Sequence, residues 1–297
     1  VVYQISISLH DISRIIQLRV CLQSCMAELQ GNGCHSALTE SVQGDRQFFL
    51  YETYPRNDRQ ERAIRKQLGI ALAEYICECQ EPEMIRNIIQ REYRFHYMNE
   101  VVQIQHVTQR LLEESAWEHA NIVYVNRREK LAKQIEKFLK ESRQFAVDGF
   151  VHFRLKTYRL ALSKCIEDAI SEYLLHKEYK EFIQLLRYFV SMQISKLPLV
   201  HVIHDEGKDF QIYKADGTLL KLKEMDGALQ EVIEQTFSHG DFVVSTLLTI
   251  APERIILHTS NLEEKLVRTL IQIFEGRIVV CDGCTECGIS LNFHGDA

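Results

Sequence analysis

Proline is scarce in this chain of 297 residues: it occurs only at Pro55, Pro82, Pro198 and Pro252. Three of the four mark a change of segment or element, as expected of a residue that cannot donate to a helix or ladder interior. Long apolar runs are missing too. The longest candidate, Phe242 to Ala251, holds Ser245, Thr246 and Thr249, and it is about half the roughly 20 residues that a membrane span needs. Val1 to His10 alternates apolar and polar residues and reaches Asp11 with no basic stretch and no continuous apolar stretch, so no secretory leader is expected. Positive charge is in short supply, with 35 Lys and Arg against 41 Asp and Glu and a net charge of -6. No whole-protein field therefore attracts phosphate backbones or anionic lipid. Several catalytic signatures are absent. There is no phosphate loop and no nucleophile elbow. The helical part lacks the paired Glu-x-x-His ligands of di-iron bundles. Gly31-x-Gly33-x-x-Ser36 follows a helix instead of joining strand to helix, which is wrong for dinucleotide binding.

What is present is an ordinary globular balance, 46% apolar and 26% charged, enough to bury a large core. The length favours two or three domains. Nine cysteines, at 21, 25, 34, 77, 79, 165, 281, 284 and 287, form an odd and scattered set. In a chain of this size that reads as reduced thiols in a cytoplasm, not as a disulfide framework.

The patterning predicts a mixed α+β fold in three segments. Residues 1–54 read as a small β-α-β-β unit. Val1 to Ser8 alternates like a half-buried strand, and Asp11 can cap a helix carrying Ile12, Ile15, Ile16, Leu22, Met26 and Leu29. Two strands, Cys34 to Val42 and Gln47 to Thr53, flank the turn at Gly44-Asp45. Residues 55–196 read as a helical bundle. Asn57 or Asp58 caps a helix with Ile64, Leu68, Leu72, Tyr75 and Ile76, and Glu81-Pro82 opens the next. Further helices cover 100–116 and 127–143. From 154 to 193 two apolar stripes are predicted to face the core, the second made of Phe182, Ile183, Leu186, Phe189 and Val190. Residues 197–297 read as an α/β domain. It has strands at Leu199 to Asp205, Phe210 to Tyr213 and Leu219 to Leu222, and helices near 226–237 and 240–250. It closes with a βαβ unit, Arg254 to His258, a helix from Leu262 to Phe274 capped by Asn261, and Arg277 to Cys281.

The chemically sharpest motif leaves that last strand: Cys281-Asp-Gly-Cys284-Thr-Glu-Cys287-Gly288. Two overlapping Cys-x-x-Cys units place three thiols within one turn, a spacing that lets sulfurs of a knuckle face one metal. Thiolates suit zinc or an iron–sulfur cluster because both are soft acceptors. The fourth ligand is open: His294, a distant cysteine such as Cys34, Cys77 or Cys79, a solvent molecule, or another chain. The motif also reads as a redox site, or as three unligated thiols in a C-terminal turn. His201 and His204 lie three apart on a strand, so they point to opposite faces and cannot share a metal without a bulge. His152, His176, His239 and His258 look isolated. Arg127 to Arg143 holds seven basic and three acidic residues beside the apolar face Leu131, Ile135, Phe138 and Leu139. It reads as the solvated face of a core helix, with binding to acidic lipid or nucleic acid as the lesser alternative.

Three stretches resemble the YtxC-like family of sporulation proteins: Asp148-Gly-Phe-Val-His-Phe-Arg154 followed by Lys156 and Tyr158; Glu178-Tyr-Lys-Glu-Phe-Ile-Gln-Leu-Leu-Arg-Tyr-Phe-Val190; and Ala251-Pro-Glu-Arg-Ile-Ile-Leu-His258, leading through Phe274 to the cysteines. The resemblance implies an endospore-forming bacterium and a cytoplasmic role linked to sporulation, and it implies no reaction. The expectation is a non-enzymatic protein acting on protein partners, with no membrane span and no nucleic acid. Its one chemical feature is then the C-terminal site of Cys281, Cys284 and Cys287, with His294 as a candidate fourth ligand and zinc or an iron–sulfur cluster as the cofactor. The alternative is a redox or metal-dependent enzyme or switch that uses the same thiols.

Overall fold

The computed structural model describes residues 1–31, 33–114, 127–204, 210–220, 239–259 and 261–281. It is a mixed α+β protein with two four-stranded mixed sheets. By compactness the chain divides into Val1–Leu175 and His176–Ala297.

In the first unit β1 (Val2–Ser8) is followed by α1 (Ile12–Gly31). Asp11 caps α1, its carboxylate accepting from the amides of Ser13 at 2.9 Å and Arg14 at 3.3 Å. The buried face is Ile15, Leu18, Leu22, Cys25 and Leu29. Ile12 and Ile16, which recur at helical spacing with these residues, are exposed, because the helix turns a narrower stripe inward than its apolar residues span. β2 (Ser36–Gln43) and β3 (Arg46–Thr53) form the expected hairpin, turning at Gly44 with φ 62°. α2 (Asp58–Tyr75) is capped by Asn57. It continues through a π-helical turn, Ile76–Gln80, into α3 (Glu81–Arg91) with Pro82 in its first turn.

α4 (Met98–Glu114) and α5 (Arg127–Glu141) follow; residues 115–126 between them lie outside the described residues. A three-residue strand, β4 (Gln144–Ala146), pairs in parallel with β1 and gives the sheet the order β2-β3-β1-β4. α6 (Val147–Arg154) leads into α7 (Lys156–Met192), which runs from the first unit into the second. One core joins β1 and β3 to α1, α2 and α5. There α5 comes so near α2 that a Cβ on Gly69 would stand 2.8 Å from the Ala132 carbonyl oxygen. A second core joins α3 and α4 to Leu162, Cys165, Ile166 and Ala169 of α7.

In the second unit β5 (Leu199–His204), β7 (Arg254–Thr259) and β8 (Ile278–Cys281) are parallel, and β6 (Gln211–Lys214) is antiparallel on the outer edge, giving β6-β5-β7-β8. The third strand expected at Leu219 to Leu222 is a single bridge, Tyr213 to Leu219, within the described residues. α8 (His239–Ile250) precedes β7. α9 (Lys265–Ile273) joins β7 to β8, as a βαβ unit requires. It starts later than expected: Asn261 accepts from Glu263 N in a local turn, and Glu264 is the helix N-cap. Val200, Val202, Ile255 and Leu257 of the sheet pack with Val243, Leu247, Val267 and Leu270 of the helices and with Ile183 and Val190 of α7. The helix expected at 226–237 lies outside the described residues. Among those described, no helix is long and apolar enough to cross a membrane.

Candidate functional site

Because β5, β7 and β8 are parallel, they end on one edge of the sheet, the edge where open α/β sheets hold their ligands. The last residues there are His204, Thr259 and Cys281. In register, His204 faces Thr259 across β5 and β7, and His258 faces Cys281 across β7 and β8. His201 and His204 do point to opposite faces. His258, which looks isolated in the sequence, is the partner of His201: His201 Nδ1 and His258 Nε2 are 3.1 Å apart, with the rings stacked at 5.4 Å. Burial holds both imidazoles below their ordinary pKa, and His201 lowers His258 further. At neutral pH the pair is therefore neutral, with one ring N–H donated to the other ring. On the opposite face His204 meets the Thr259 hydroxyl at 2.9 Å and Glu264 through Nε2, and its ring stacks on Phe210.

Cys281 is half-buried at the end of the edge strand. Cys284, Cys287 and His294 lie outside the described residues. Among the described residues no group of three His, Cys, Asp or Glu side chains is placed to hold a metal ion. Elsewhere the thiols behave as packing groups. Burial pushes Cys21, Cys25 and Cys165 up to about 12 and Cys79 up to about 11. A thiol so raised carries almost no nucleophilic thiolate at neutral pH. Cys34 and Cys77 sit in the core of the first unit, where Cys34 accepts from Gln60 and Cys77 meets Tyr158.

A polar cluster that sequence reading missed lies where the π turn meets α3. Glu81 is only 4% exposed. Arg127 reaches it with Nε and a terminal nitrogen at 3.2 and 3.3 Å and donates to the Leu112 carbonyl at 2.9 Å. The Tyr158 hydroxyl donates to the same carboxylate and stands 3.4 Å from Cys77 Sγ. Burial, and then the charge of Glu81, push the Tyr158 pKa far up, so it stays a donor. The cluster is a closed charge pair with its hydrogen bonds filled, the condition under which a buried ion pair is tolerated. The sequence carries no signal for it: the π turn beside it, a feature frequent at functional sites, is seen only in the structure and is invisible to a period of 3.6.

The basic run on α5 is the solvated face of a core helix, as its pattern predicts, whereas the second stripe of α7 departs from expectation. On α5, Leu131, Ala132, Ile135 and Leu139 are buried, while Arg127 serves Glu81 and Lys133 pairs with Glu129. On α7 the second stripe is not wholly a core face. Ile183 and Val190 are buried and Leu186 is half-buried, but Phe182 and Phe189 are 56% and 49% exposed. Leu185 and Met192 join them at 62% and 69%. Tyr179 and Arg187 tie the flanking side of the helix to Gln272 at the end of α9, which fixes the face that turns outward. Asp148, in the first family-like stretch, accepts from Ser8 N at 2.9 Å and from Arg46 at 3.1 Å, and Phe150 meets Phe138 edge-on and lies tilted against Phe145. That stretch closes the first sheet.

The family model of the YtxC-like family matches residues 66–279. That span includes Glu81, Arg127, Tyr158, the histidine pair and the exposed face of α7, and it ends two residues before Cys281. The chain is similar to "Uncharacterized protein YtxC" of Bacillus subtilis (strain 168), with 26% identity over 216 residues, 72% of this chain and 76% of that protein. No solved structure matches.

Proposed function

The chain belongs to the YtxC-like family, and on that premise we propose that it is a cytoplasmic, sporulation-associated protein that works by binding a partner protein. The sporulation link rests on the resemblance of its three family-like stretches. One observation carries the binding role: Phe182, Leu185, Phe189 and Met192 stand exposed at alternating three- and four-residue spacing along the last turns of α7. A contiguous apolar face of this kind marks an interaction site more often than a bare surface. Its spacing is that of a seam between helices, so the occupant is the apolar face of a helix from another protein.

The test is purification of the tagged chain from sporulating cells of an endospore-forming bacterium. One companion protein is expected in near-stoichiometric amount, and it should be lost from the folded Phe182→Asp/Phe189→Asp variant. A companion retained by the variant, or none with the wild type, contradicts the reading. Sedimentation showing that the pure chain pairs with itself through this face would replace the foreign partner with a second copy.

In the same reading Cys281, Cys284 and Cys287, with His294 as candidate fourth ligand, hold zinc and stabilise the end of the chain. The support is the donor set and the position of Cys281 at the end of β8, where it is half-buried while most described thiols are buried. Protein purified without air should carry near-stoichiometric zinc. Cys284→Ser should lose it along with stability, since structural metal binding contributes folding free energy. A coloured iron centre would favour the redox alternative. Absence of metal from both samples would make the three thiols unligated.

A further inference from the structure

We propose that the groove between α1 and α2 docks a basic amphipathic helix of a protein partner, an inference that rests on the binding role above and gives it a second surface. The groove is a cleft of about 390 Å³. Its floor is Cys21, Ala71 and Tyr75, closed where the Cys21 thiol donates to the Ala71 carbonyl at 2.9 Å. Its wall on α1 is Ile16 and Val20, 48% and 58% exposed. These are apolar residues that the core of the first unit leaves outside. Its rim is Glu28, Glu74 and Glu78, and no lysine or arginine lines it.

Two features single this cleft out. Glu74 and Glu78 are exposed and make no hydrogen bond or ion pair among the described residues. Like charges one turn apart destabilise a helix, and here the π turn Ile76–Gln80 carries the second of them to the same rim. An apolar trough beside unneutralised carboxylates is complementary to one kind of ligand: a helix with apolar anchors every three or four residues and Lys or Arg along the edge facing α2. The lining on α1 runs from Ile16 to Glu28, which corresponds to about 18 Å, or about 12 residues of a partner helix. The carboxylates argue against nucleic acid and anionic lipid. No three His, Cys, Asp or Glu side chains among the described residues are placed to hold a metal ion.

The probe is a synthetic helical peptide with leucines at three- and four-residue spacing and flanking lysines, compared with the same peptide carrying glutamates, each titrated into the full chain by fluorescence anisotropy. The lysine peptide is expected to bind and the glutamate peptide not. Glu74→Lys/Glu78→Lys should weaken the lysine peptide about tenfold, the scale of two exposed charge pairs, and admit the glutamate peptide. Glu167→Lys/Asp168→Lys, an equal change of net charge on exposed positions of α7, should leave the preference intact. Val20→Asp should abolish binding with the circular dichroism unchanged. Equal loss in both charge-reversed variants, or no preference between peptides, overturns the groove. If that happens while the α7 variant still loses its companion protein, the binding role stands without this surface; if the α7 variant keeps its companion, the role itself falls.

Discussion

The two compact units treat their polar groups in opposite ways. In Val1–Leu175 the most buried charge pair among the described residues, Glu81 with Arg127, is enclosed between helices and is also hydrogen-bonded by Tyr158 and to Leu112. In His176–Ala297 the histidines sit on the parallel strands: His201 pairs with His258 within the sheet, and His204 meets Thr259 and Glu264 at the strand ends, where Cys281 also lies. The first arrangement is what holds helices in one register. The second is where a parallel sheet offers groups to something else. Electrostatic perturbation alone therefore does not mark function here, since the cluster around Glu81 is closed by its own hydrogen bonds.

The largest expected effect tests that enclosure. Glu81→Ala strips Arg127 of its partner and should cost about 3–5 kcal/mol in chemical denaturation. A cost below about 1 kcal/mol, the range of exposed pairs, would show that water reaches the cluster. Next comes Gly69→Ala. In a free helix this substitution stabilises by about 1 kcal/mol. Here the new Cβ would meet the Ala132 carbonyl at 2.8 Å, so destabilisation by about 1–3 kcal/mol is expected. A stabilised variant would mean that α2 and α5 can separate.

The smallest effect concerns the second unit. His201 and His258 titrate below 6.5 when folded and near 6.5 when unfolded. Below that pH the unfolded chain binds more protons, so their contribution is complete above about 6.5 and is lost as pH falls toward the folded values. A stability profile from pH 7 to 5 should slope downward, and His201→Gln/His258→Gln should flatten it. An unchanged slope would place both rings in contact with bulk water.

Much of this was legible in the sequence. Helical periodicity located α2, α3, α4, α5 and α7, and Asp11 and Asn57 announced their caps because capping is local chemistry. β4 escaped notice, because three residues carry no period and its partner β1 lies about 140 residues away. The His201–His258 contact depends on the register between β5 and β7, which no single strand encodes. The stripe from Phe182 to Val190 shows the other limit. Periodicity reports that a helix has an apolar face, but it cannot divide that face between Ile183, which the unit covers, and Phe189, which it leaves open.

The open face of α7 is tested most directly by a photo-crosslinking amino acid placed at Leu185 in sporulating cells, beside one at the exposed position Leu160. A single cross-linked protein at Leu185 and none at Leu160 is the predicted result. The same background pattern at both positions would contradict the binding role assigned to α7.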